Sequence, residues 1–437
     1  MKKVLSLMLA AVLMLCLCSC TVKLSTTTTV PSEDIPENTV TPYEELSLEE
    51  KMEARSVVEL IPANEYNADL LAPAMDSTTG LWGYISIQGE WKIAPSFKTA
   101  LPFDGDYAKT LDEYQDIIFI DREGNTVVET VMSSPVKAAG RFSNGIANVT
   151  IPVEYTQQSM YINASGKSAL AINKMPVTKG INYKTLRFLE IASPFREGKA
   201  VIMRTTNATL IANEDTRYPE VAYIINDEGV IQASIPQGLD VAPEGFDDNM
   251  RVIVRNNDGL YGLASDNGAI IASCMYRSIA HCEGGMYLVQ DQESGLYGYM
   301  DKEGRRVVGF VYEDARPFSE GLAAVKTEEG WGFINDSGEV VIPFGFDSVK
   351  AVKAAASGLD TDRGVFCSGV AAVSKGRFWA IIDSTGEILL AAESDDCPVL
   401  AVSDKYISFN FLGGCGVITT DGRYVLKPTF GAVGEFR

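Results

Sequence analysis

The sequence predicts an all-β protein built from about nine tandem repeats, because three local signals recur along most of the chain. The first is a four-residue turn ending in glycine, where the opening polar side chain can hydrogen-bond its own turn and glycine takes a positive φ. The second is a short run of strand-forming residues on either side of that turn. The third is the pattern F-x-x-G-x-A further along several units. Together they predict a hairpin in every repeat.

The glycine-ended turn sets the spacing of the repeats. An aromatic–glycine pair opens the strand before several turns; Trp379 is followed by Ala380 instead, and Cys415 with Gly416 stands in near the C-terminus. The pair is absent from three middle units. The turn glycines are Gly89, Gly124, Gly166, Gly229, Gly268, Gly304, Gly338, Gly386 and Gly422, and the pairs are Trp82 with Gly83, Tyr261 with Gly262, Tyr297 with Gly298 and Trp331 with Gly332.

A marker phenylalanine follows the second strand of many units and leads into a further strand. The marker lies 14 residues after the turn glycine in several units, as from Gly89 to Phe103. Phe436 keeps this spacing, and Cys282 and Leu400 keep it with a substituted residue. The complete pattern occurs at Phe142 with Gly145, Phe195 with Gly198, Phe318 with Gly321 and Phe366 with Gly369.

These motifs resemble WG-repeat proteins. That family has an aromatic–glycine pair, an aliphatic strand, a turn of the D-x-x-G type, a short apolar strand and then F-x-x-G-x-A. The match is best at residues 295–326 and 331–343, and the resemblance extends over roughly residues 70–437. It implies an exported all-β repeat array, and it implies no particular chemistry.

The chain termini bear on whether the repeats form a ring or an open array. Residues 428–436 match residues 95–103, so the chain stops at the marker of an unfinished unit. Residues 69–75 read as a strand that lacks the strand before it. A C-terminal strand filling this gap would close a propeller-like ring and remove exposed sheet edges. We therefore favour a closed ring of about nine units, with an open β-superhelix as the alternative because nine blades are unusual.

The N-terminus predicts export. Lys2 and Lys3 precede an apolar run over residues 4–17, too short for the roughly 20 residues that span a bilayer. Cys20 follows the small residue Ser19, and this resembles the lipobox of bacterial lipoproteins. The resemblance implies that residues 1–19 are a signal peptide and that Cys20 is acylated, with membrane lipid as its partner. An ordinary signal peptide with incidental cysteines is the alternative.

The segment before the repeats is predicted to act as a spacer. Residues 20–46 hold the lipidated cysteine and a tether rich in Thr, Ser, Pro and Glu, which cannot bury enough apolar surface to offset ordering. Residues 47–68 form a lead-in with a short helix, because Ser47 and Glu50 fit a capping box. Residues 69–437 form the repeat domain. The molecule is therefore expected to sit on the outer side of a bacterial membrane.

Composition excludes several partners and scaffolds. The chain has 37 Lys and Arg against 58 Asp and Glu, a net charge of −21. This acidity argues against nucleic acid and against docking of the domain face on anionic lipid. After Cys20 there are five cysteines without CxxC spacing, which does not fit a disulfide framework. They are Cys274, Cys282, Cys367, Cys397 and Cys415.

No catalytic residue, metal site or cofactor is predicted. His281 is the one histidine, so a Ser-His-Asp or Cys-His site would have to be built on it. The Asp-x-x-Gly turns lack the ligand pattern of a calcium loop, and turn chemistry alone explains them. The sequence predicts a surface-displayed binding scaffold for an envelope protein, a peptide or a wall polymer, with the insertions at 173–186 and 354–365 as binding loops. A propeller-type glycan hydrolase with paired carboxylates is the alternative.

Overall fold

The protein is all-β, as the sequence predicts. The computed structural model describes residues 46–54, 61–62, 70–153, 156–170, 191–203, 222–350, 364–403, 406–411, 414–420 and 423–437. These residues form short antiparallel sheets, one α-helix (Leu48–Ala54) and one 3-10 turn (Glu283–Gly285). The predicted signal peptide, Cys20, residues 20–45 of the tether, Gly422 and nearly all of both predicted binding loops lie outside the described residues.

The described strands divide into nine successive units, numbered here along the chain. Units 1 to 4 are separated by short connections, and a small hairpin of Thr130–Val131 with Ser134–Pro135 lies between units 2 and 3. Their strands, in sheet order, are Ala432–Val433, Leu71–Met75, Trp82–Ser86 and Trp91–Phe97 in unit 1; Thr99–Ala100, Ala108–Leu111, Ile117–Ile120 and Thr126–Val128 in unit 2; Ala138–Ala139, Ile146–Val153 and Thr156–Asn163 in unit 3; and Ile191–Ala192, Lys199–Met203, Ala222–Asn226 and Ile231–Ser234 in unit 4.

Units 5 and 6 share one long strand, Ile270–His281. Its first half is the fourth strand of unit 5 and its second half is the first strand of unit 6, with Tyr276 pairing on both sides. The other strands are Leu239–Val241, Arg251–Asn256 and Tyr261–Ser265 in unit 5; Met286–Asp291, Tyr297–Asp301 and Arg306–Tyr312 in unit 6; Asp314–Ala315, Ala323–Thr327, Gly330–Ile334 and Val340–Phe346 in unit 7; Ser348–Lys350, Val370–Lys375, Phe378–Asp383 and Ile388–Glu393 in unit 8; and Val399–Ser403, Tyr406–Phe411, Gly414–Thr419 and Arg423–Phe430 in unit 9.

Neighbouring units pack through the glycine-ended turns. A Cβ atom built at Gly338 of unit 7 would lie 3.2 Å from Val308 Cγ2 on the fourth strand of unit 6. A Cβ atom at Gly386 of unit 8 would lie 3.0 Å from Ile342 Cγ2 of unit 7. Glycine therefore serves two purposes at these turns, because it takes the positive φ and leaves room for the preceding unit.

The two ends of the repeat domain meet in unit 1. Ala432–Val433 pairs antiparallel with Leu71–Met75, and the Leu71 and Arg437 backbones exchange hydrogen bonds of 3.1 and 2.9 Å. A Cβ atom at Gly89 of unit 1 would lie 3.0 Å from Leu426 Cδ2 of unit 9. Unit 1 therefore packs on unit 9 in the way that later units pack on their predecessors.

The lead-in segment contacts units at the end of the chain. Ser47 and Glu50 exchange capping-box hydrogen bonds at the start of the helix Leu48–Ala54, whose Met52 is fully buried in the cluster shared by units 7 and 8. Ile61–Pro62 pairs in parallel with the fourth strand of unit 9. In the described part of the chain, no helix has both the length and the apolar character to cross a membrane.

Candidate binding surface

The aromatic–glycine pair marks a wide bulge between the third and fourth strands. In unit 6, Tyr297 pairs with Tyr312 and Tyr299 with Val308, so two steps along the third strand match four along the fourth. The bulged backbone lies directly over Gly298, where a Cβ atom would come within 2.6 Å of the Val308 carbonyl oxygen. Glycine is therefore needed for close approach of two backbones.

The same bulge recurs wherever the pair is present in the described units. A Cβ atom would meet a carbonyl oxygen of the fourth strand at Gly83 (2.4 Å), Gly262 (2.6 Å), Gly332 (3.0 Å) and Gly416 (2.7 Å). Unit 8 has Ala380 at this position, and its strands pair without a break from Phe378 to Ile381. The sequence alone gives no reason for the glycine, although Ala380 in unit 8 marks the one aromatic position that a different residue follows.

Six of the described glycine-ended turns have the side-chain hydrogen bonds that the sequence predicts, whereas the Ser86 hydroxyl has no partner among the described residues. Asp301 Oδ1 accepts from the backbone N–H groups of Glu303 at 3.0 Å and Arg305 at 2.9 Å, and Gly304 has a φ of 78°. Equivalent side-chain bonds occur at Asp121, Asn163, Asn226, Asn335 and Asp383, and a positive φ occurs at Gly89, Gly124, Gly166, Gly229, Gly268, Gly338 and Gly386.

The marker phenylalanine joins one unit to the next. Phe318 of unit 7 is buried, and its ring lies 4.6 Å from the ring of Tyr299 in unit 6. The Tyr299 hydroxyl donates to the Arg316 carbonyl at 2.7 Å. A buried tyrosine hydroxyl needs a hydrogen-bond partner, so the two units are joined both by ring packing and by this hydrogen bond. The corresponding ring pairs are Tyr84 with Phe103, Phe119 with Phe142, Tyr161 with Phe195 and Phe333 with Phe366, whereas Phe436 contacts Tyr406 on the second strand of unit 9.

The pattern F-x-x-G-x-A forms a tight turn after the marker. In unit 7, both Glu320 and Gly321 have positive φ values, 51° and 81°, which is the geometry of a two-residue hairpin turn. The glycines Gly145, Gly198 and Gly369 have φ values of 77°, 73° and 77° in the same place. Phe246 is the buried marker of unit 5, which the sequence analysis missed because Met250 takes the positive φ there.

The tryptophans belong to the packing between strands. Trp331 is buried beneath the Arg316 guanidinium, which lies 4.8 Å from the ring centre. Trp82 and Trp379 are half-buried, and Trp91 is half-buried against Phe430 at 5.8 Å. None of the four presents a fully exposed ring to a ligand.

His281 lies in a polar contact between units 5 and 6. Its Nε2 is 4.0 Å from Asp247 Oδ2, and the Tyr287 hydroxyl donates to the same carboxylate. Burial, together with the Asp247 charge, raises the pKa of Tyr287 above its ordinary value. Asp247 Oδ1 also accepts from the Asn249 and Arg251 amides, so this carboxylate fixes a turn and ties two units together. The network therefore holds the geometry of this contact.

The thiols and acidic groups show no grouped chemistry in the part of the chain that the structure describes. The five cysteines are free there, and burial raises the pKa of the Cys415 thiol to about 12. No group of three or more His, Cys, Asp or Glu side chains that could hold a metal ion occurs within the described ranges.

A stripe of exposed apolar side chains covers the fourth strands of units 5 to 7. Val311, Met275 and Val340 are 64%, 57% and 52% exposed. Six of the nine large exposed apolar side chains of the described residues lie on these three strands, so the exposure is concentrated there. We call this set the edge stripe; its members are Ile270, Met275, Val307, Val311, Val340 and Val341.

The strands of the edge stripe are neighbours and carry no acidic residue. Tyr276 and Phe310, on adjacent fourth strands, have ring centres 6.3 Å apart, and the Gly338 turn connects the next unit. The three strands contain exposed Arg277 and Arg306 and no Asp or Glu, in a chain with 58 acidic side chains. The stripe is therefore an apolar, locally basic surface on an acidic protein.

An apolar cavity of about 60 Å³ lies between units 8 and 9. Trp379, Ala380 and Ile381 line one side, and Val399 and Phe409 line the other. Its position coincides with the unit that lacks the bulge. The volume is small compared with the 150 Å³ of a cavity that binds benzene.

The predicted motif residues that the structure describes are brought together as junctions between units, and they do not form one site. The edge stripe lies on other residues of the same repeats.

A family model described as "WG containing repeat" matches residues 82–110, 297–330 and 331–353. No curated protein matches the sequence of the chain.

Several solved structures are similar to this chain. One is a crystal structure of "the eukaryotic initiation factor", with a TM-score of 0.52 and 11% identity, over 84% of this chain and 98% of that chain. BamB from Moraxella catarrhalis (TM-score 0.35, 10% identity, 74% of this chain and 91% of that chain) and the C-terminal WD40 domain of Sif2 (0.35, 9%, 74% and 95%) are more distant. At these identities the first similarity concerns the fold alone.

Proposed function

We propose that this chain is a lipid-anchored, extracytoplasmic interaction scaffold whose nine units close into a propeller-like ring. The edge stripe on units 5 to 7 carries the proposal, because contiguous exposed apolar surface on a folded protein marks an interaction site. The repeat architecture supports it, since repeat arrays present broad surfaces for partners. The partner class is an envelope protein, a peptide or a wall polymer, and the net charge of −21 disfavours nucleic acid.

Closure of the ring is supported by the pairing of Ala432–Val433 with Leu71–Met75. Removal of residues 432–437 takes away this strand and the buried Phe436. A closed ring should then lose several kcal/mol, roughly 3–5 from the phenylalanine alone. Urea unfolding of the full and shortened chains measures the loss, and equal midpoints favour an open superhelix.

Anchoring is tested at Cys20. Two acyl chains hold a protein on a membrane where one does not. Cys20→Ala should abolish incorporation of radiolabelled palmitate and move the chain from the membrane fraction to the soluble fraction. Cys16→Ala is the matched control and should change neither. A chain that stays membrane-bound and labelled after Cys20→Ala contradicts the anchor.

Binding is tested by sedimentation of the full chain, in mild detergent, with purified cell-wall material and by crosslinking on intact cells. Val311→Lys should reduce retained or crosslinked partner at least tenfold, because a charge enters an apolar interface. Ser96→Lys, at the equivalent exposed position of unit 1, is the control. Released wall fragments, or retention equal in both variants, contradict a scaffold that binds through the edge stripe.

A further inference from the structure

We propose that the edge stripe binds an extended segment of a partner protein by strand addition, and that this segment alternates apolar and acidic side chains. The proposal rests on the scaffold function above and assigns it a mode of recognition. In strand addition, main-chain hydrogen bonds supply affinity, and alternate side chains supply specificity.

The chain itself adds an extended segment at the equivalent edge of unit 9. Ile61 pairs with Arg423 and Pro62 with Tyr424, in parallel, along the outer side of the fourth strand. The geometry of a fourth strand in this fold therefore accepts an added strand. The edges of units 6 and 7 have the same place in their sheets, and no strand among the described residues pairs with them.

The fourth strands of units 6 and 7 contain no lysine, although Arg306 and Pro343 lie on them. Natural proteins place charged residues, lysine above all, on exposed edge strands to prevent pairing. Unit 1 has exposed Lys92 on its fourth strand. Val307 stands three residues after its turn glycine, where unit 1 has Lys92. Exposed valines at the unpaired edges of units 6 and 7 indicate a surface that a partner covers.

Charge selects the chemistry of the added segment. Arg306 is exposed on the fourth strand of unit 6, Arg277 is exposed beside Tyr276 where the shared strand passes into unit 6, and neither forms an ion pair with the described residues. The Arg306 guanidinium lies over the Phe310 ring at 5.5 Å, which holds it beside the apolar surface. Carboxylates on the added segment would pair with both cations, whereas a second copy facing the stripe with its own stripe would oppose arginine to arginine.

Selection from a displayed library of random short peptides tests the proposal. The full chain, in mild detergent, is the target, and the chain carrying Val311→Lys and Val341→Lys is the subtraction target. Enriched peptides should alternate β-branched or aromatic residues with Asp or Glu. Enrichment of basic or helical amphipathic peptides, or no enrichment above the doubly substituted chain, overturns the proposal.

Backbone pairing is tested on the best enriched peptide. Methylation of alternate backbone nitrogens should weaken binding at least tenfold, equal to about 1.4 kcal/mol, when the methylated nitrogens face the protein edge. Methylation of the other nitrogens should leave the affinity unchanged. Ser96→Lys is the matched protein control and should bind as the unsubstituted chain does. Equal binding by both methylated peptides overturns strand addition.

Two other occupants are outcomes of the same experiment. Sedimentation with anionic phosphatidylglycerol vesicles that Val311→Lys abolishes, without peptide enrichment, assigns the stripe to a lipid surface. A concentration-dependent dimer that Val311→Lys dissociates, again without peptide enrichment, assigns it to a second copy. Both outcomes overturn the peptide proposal. Failure of the scaffold function is separate, because there Val311→Lys leaves partner retention unchanged on cells.

Discussion

The junction between units 6 and 7 and the junction between units 8 and 9 are built on the same repeat and differ in packing. At the first, Gly298 admits the bulge and Tyr299 packs on Phe318. At the second, Ala380 stands for the glycine and Ile381 for the tyrosine, and the strands pair without the bulge. The second junction contains the cavity of about 60 Å³.

The difference shows that the glycine, the tyrosine and the marker phenylalanine of the motif pack together as one group. Phe318 has its structural counterpart in Val402, which is buried with Ile381 between units 8 and 9; the next residues, Ser319 and Ser403, both accept from the amide of the following marker. When the glycine, the tyrosine and the phenylalanine are replaced together, a void remains in the middle of the junction. The cavity is partly open to solvent, so it costs less than the roughly 24 cal/mol per Å³ of an enclosed cavity. The repeat tolerates this loss because its neighbours are intact.

The largest expected effect comes from a substitution at the junction between units 6 and 7, which has the complete motif. Phe318→Ala should lower the free energy of unfolding by about 3–5 kcal/mol, because it removes a fully buried ring. Val402→Ala should cost less, about 1–2 kcal/mol, since it removes two methyl groups instead of a ring. Urea titration followed by tryptophan fluorescence gives both values. Equal losses would mean that the two junctions do not differ as described.

The next effect tests the bulge. Gly298→Ala should cost about 2–3 kcal/mol, because the added methyl group meets the Val308 carbonyl oxygen at 2.6 Å. Gly309→Ala is the control, since its Cβ would meet nothing closer than 3.8 Å. Thermal unfolding of both variants gives the comparison. If Gly298→Ala is as stable as Gly309→Ala, close approach is not the reason for the glycine.

A smaller effect fills the cavity of the incomplete junction. Ala372→Val places two carbons toward the void, because Ala372 is buried with Ile381, Val399 and Phe409 around it, and should stabilise the protein by about 0.5–1 kcal/mol. The same substitution in the complete junction, Ala323→Val, should destabilise it by about 1–3 kcal/mol because Ala323 is fully buried. Urea unfolding measures both variants, and the midpoint should rise in the first and fall in the second. A lower midpoint in both variants would mean that the cavity cannot accept the added carbons.

The smallest effect concerns the turn carboxylates that both junctions share. Burial raises the pKa of Asp301, but hydrogen bonds from the Arg305 amide and guanidinium outweigh it and hold this pKa below its ordinary value. A depressed pKa contributes stability above the ordinary carboxyl pKa, and that contribution is lost as pH falls through the folded value. Asp301→Asn keeps the acceptor, as Asn335 does in unit 7.

The stability of Asp301→Asn should therefore differ from that of the unsubstituted chain at pH 7 and converge with it as the pH falls toward about 2. Asn335→Asp is the reciprocal variant and should gain acid sensitivity. Unfolding midpoints over this pH range provide the check. If the difference in stability between the two chains is the same at every pH, the ionised carboxylate of Asp301 is not what stabilises the turn.

Individual residues show which structural features could be predicted from the sequence and which could not. The turn at Asp301 and Gly304 follows from local chemistry, so its hydrogen bonds and positive φ were predictable. The burial of Phe318 followed from its recurrence at a fixed spacing. Phe246 was missed because its turn uses Met250 in place of glycine. The edge stripe was not predicted, because Val307 and Val311 look like ordinary strand residues in the sequence. The alternation of apolar residues along a strand does not show which of its two faces packs against a neighbouring unit.

The sequence by itself determined the repeat, its turns and its all-β class, because these depend on contacts within a few residues or on a fixed spacing. Only the tertiary structure decided that Ala432–Val433 completes unit 1, that Gly298 makes room for a bulge, and that Met275 and Val311 face outward. These features depend on pairs of segments far apart in the chain or in adjacent sheets. Local propensity carries no information about such pairs, whereas packing selects them.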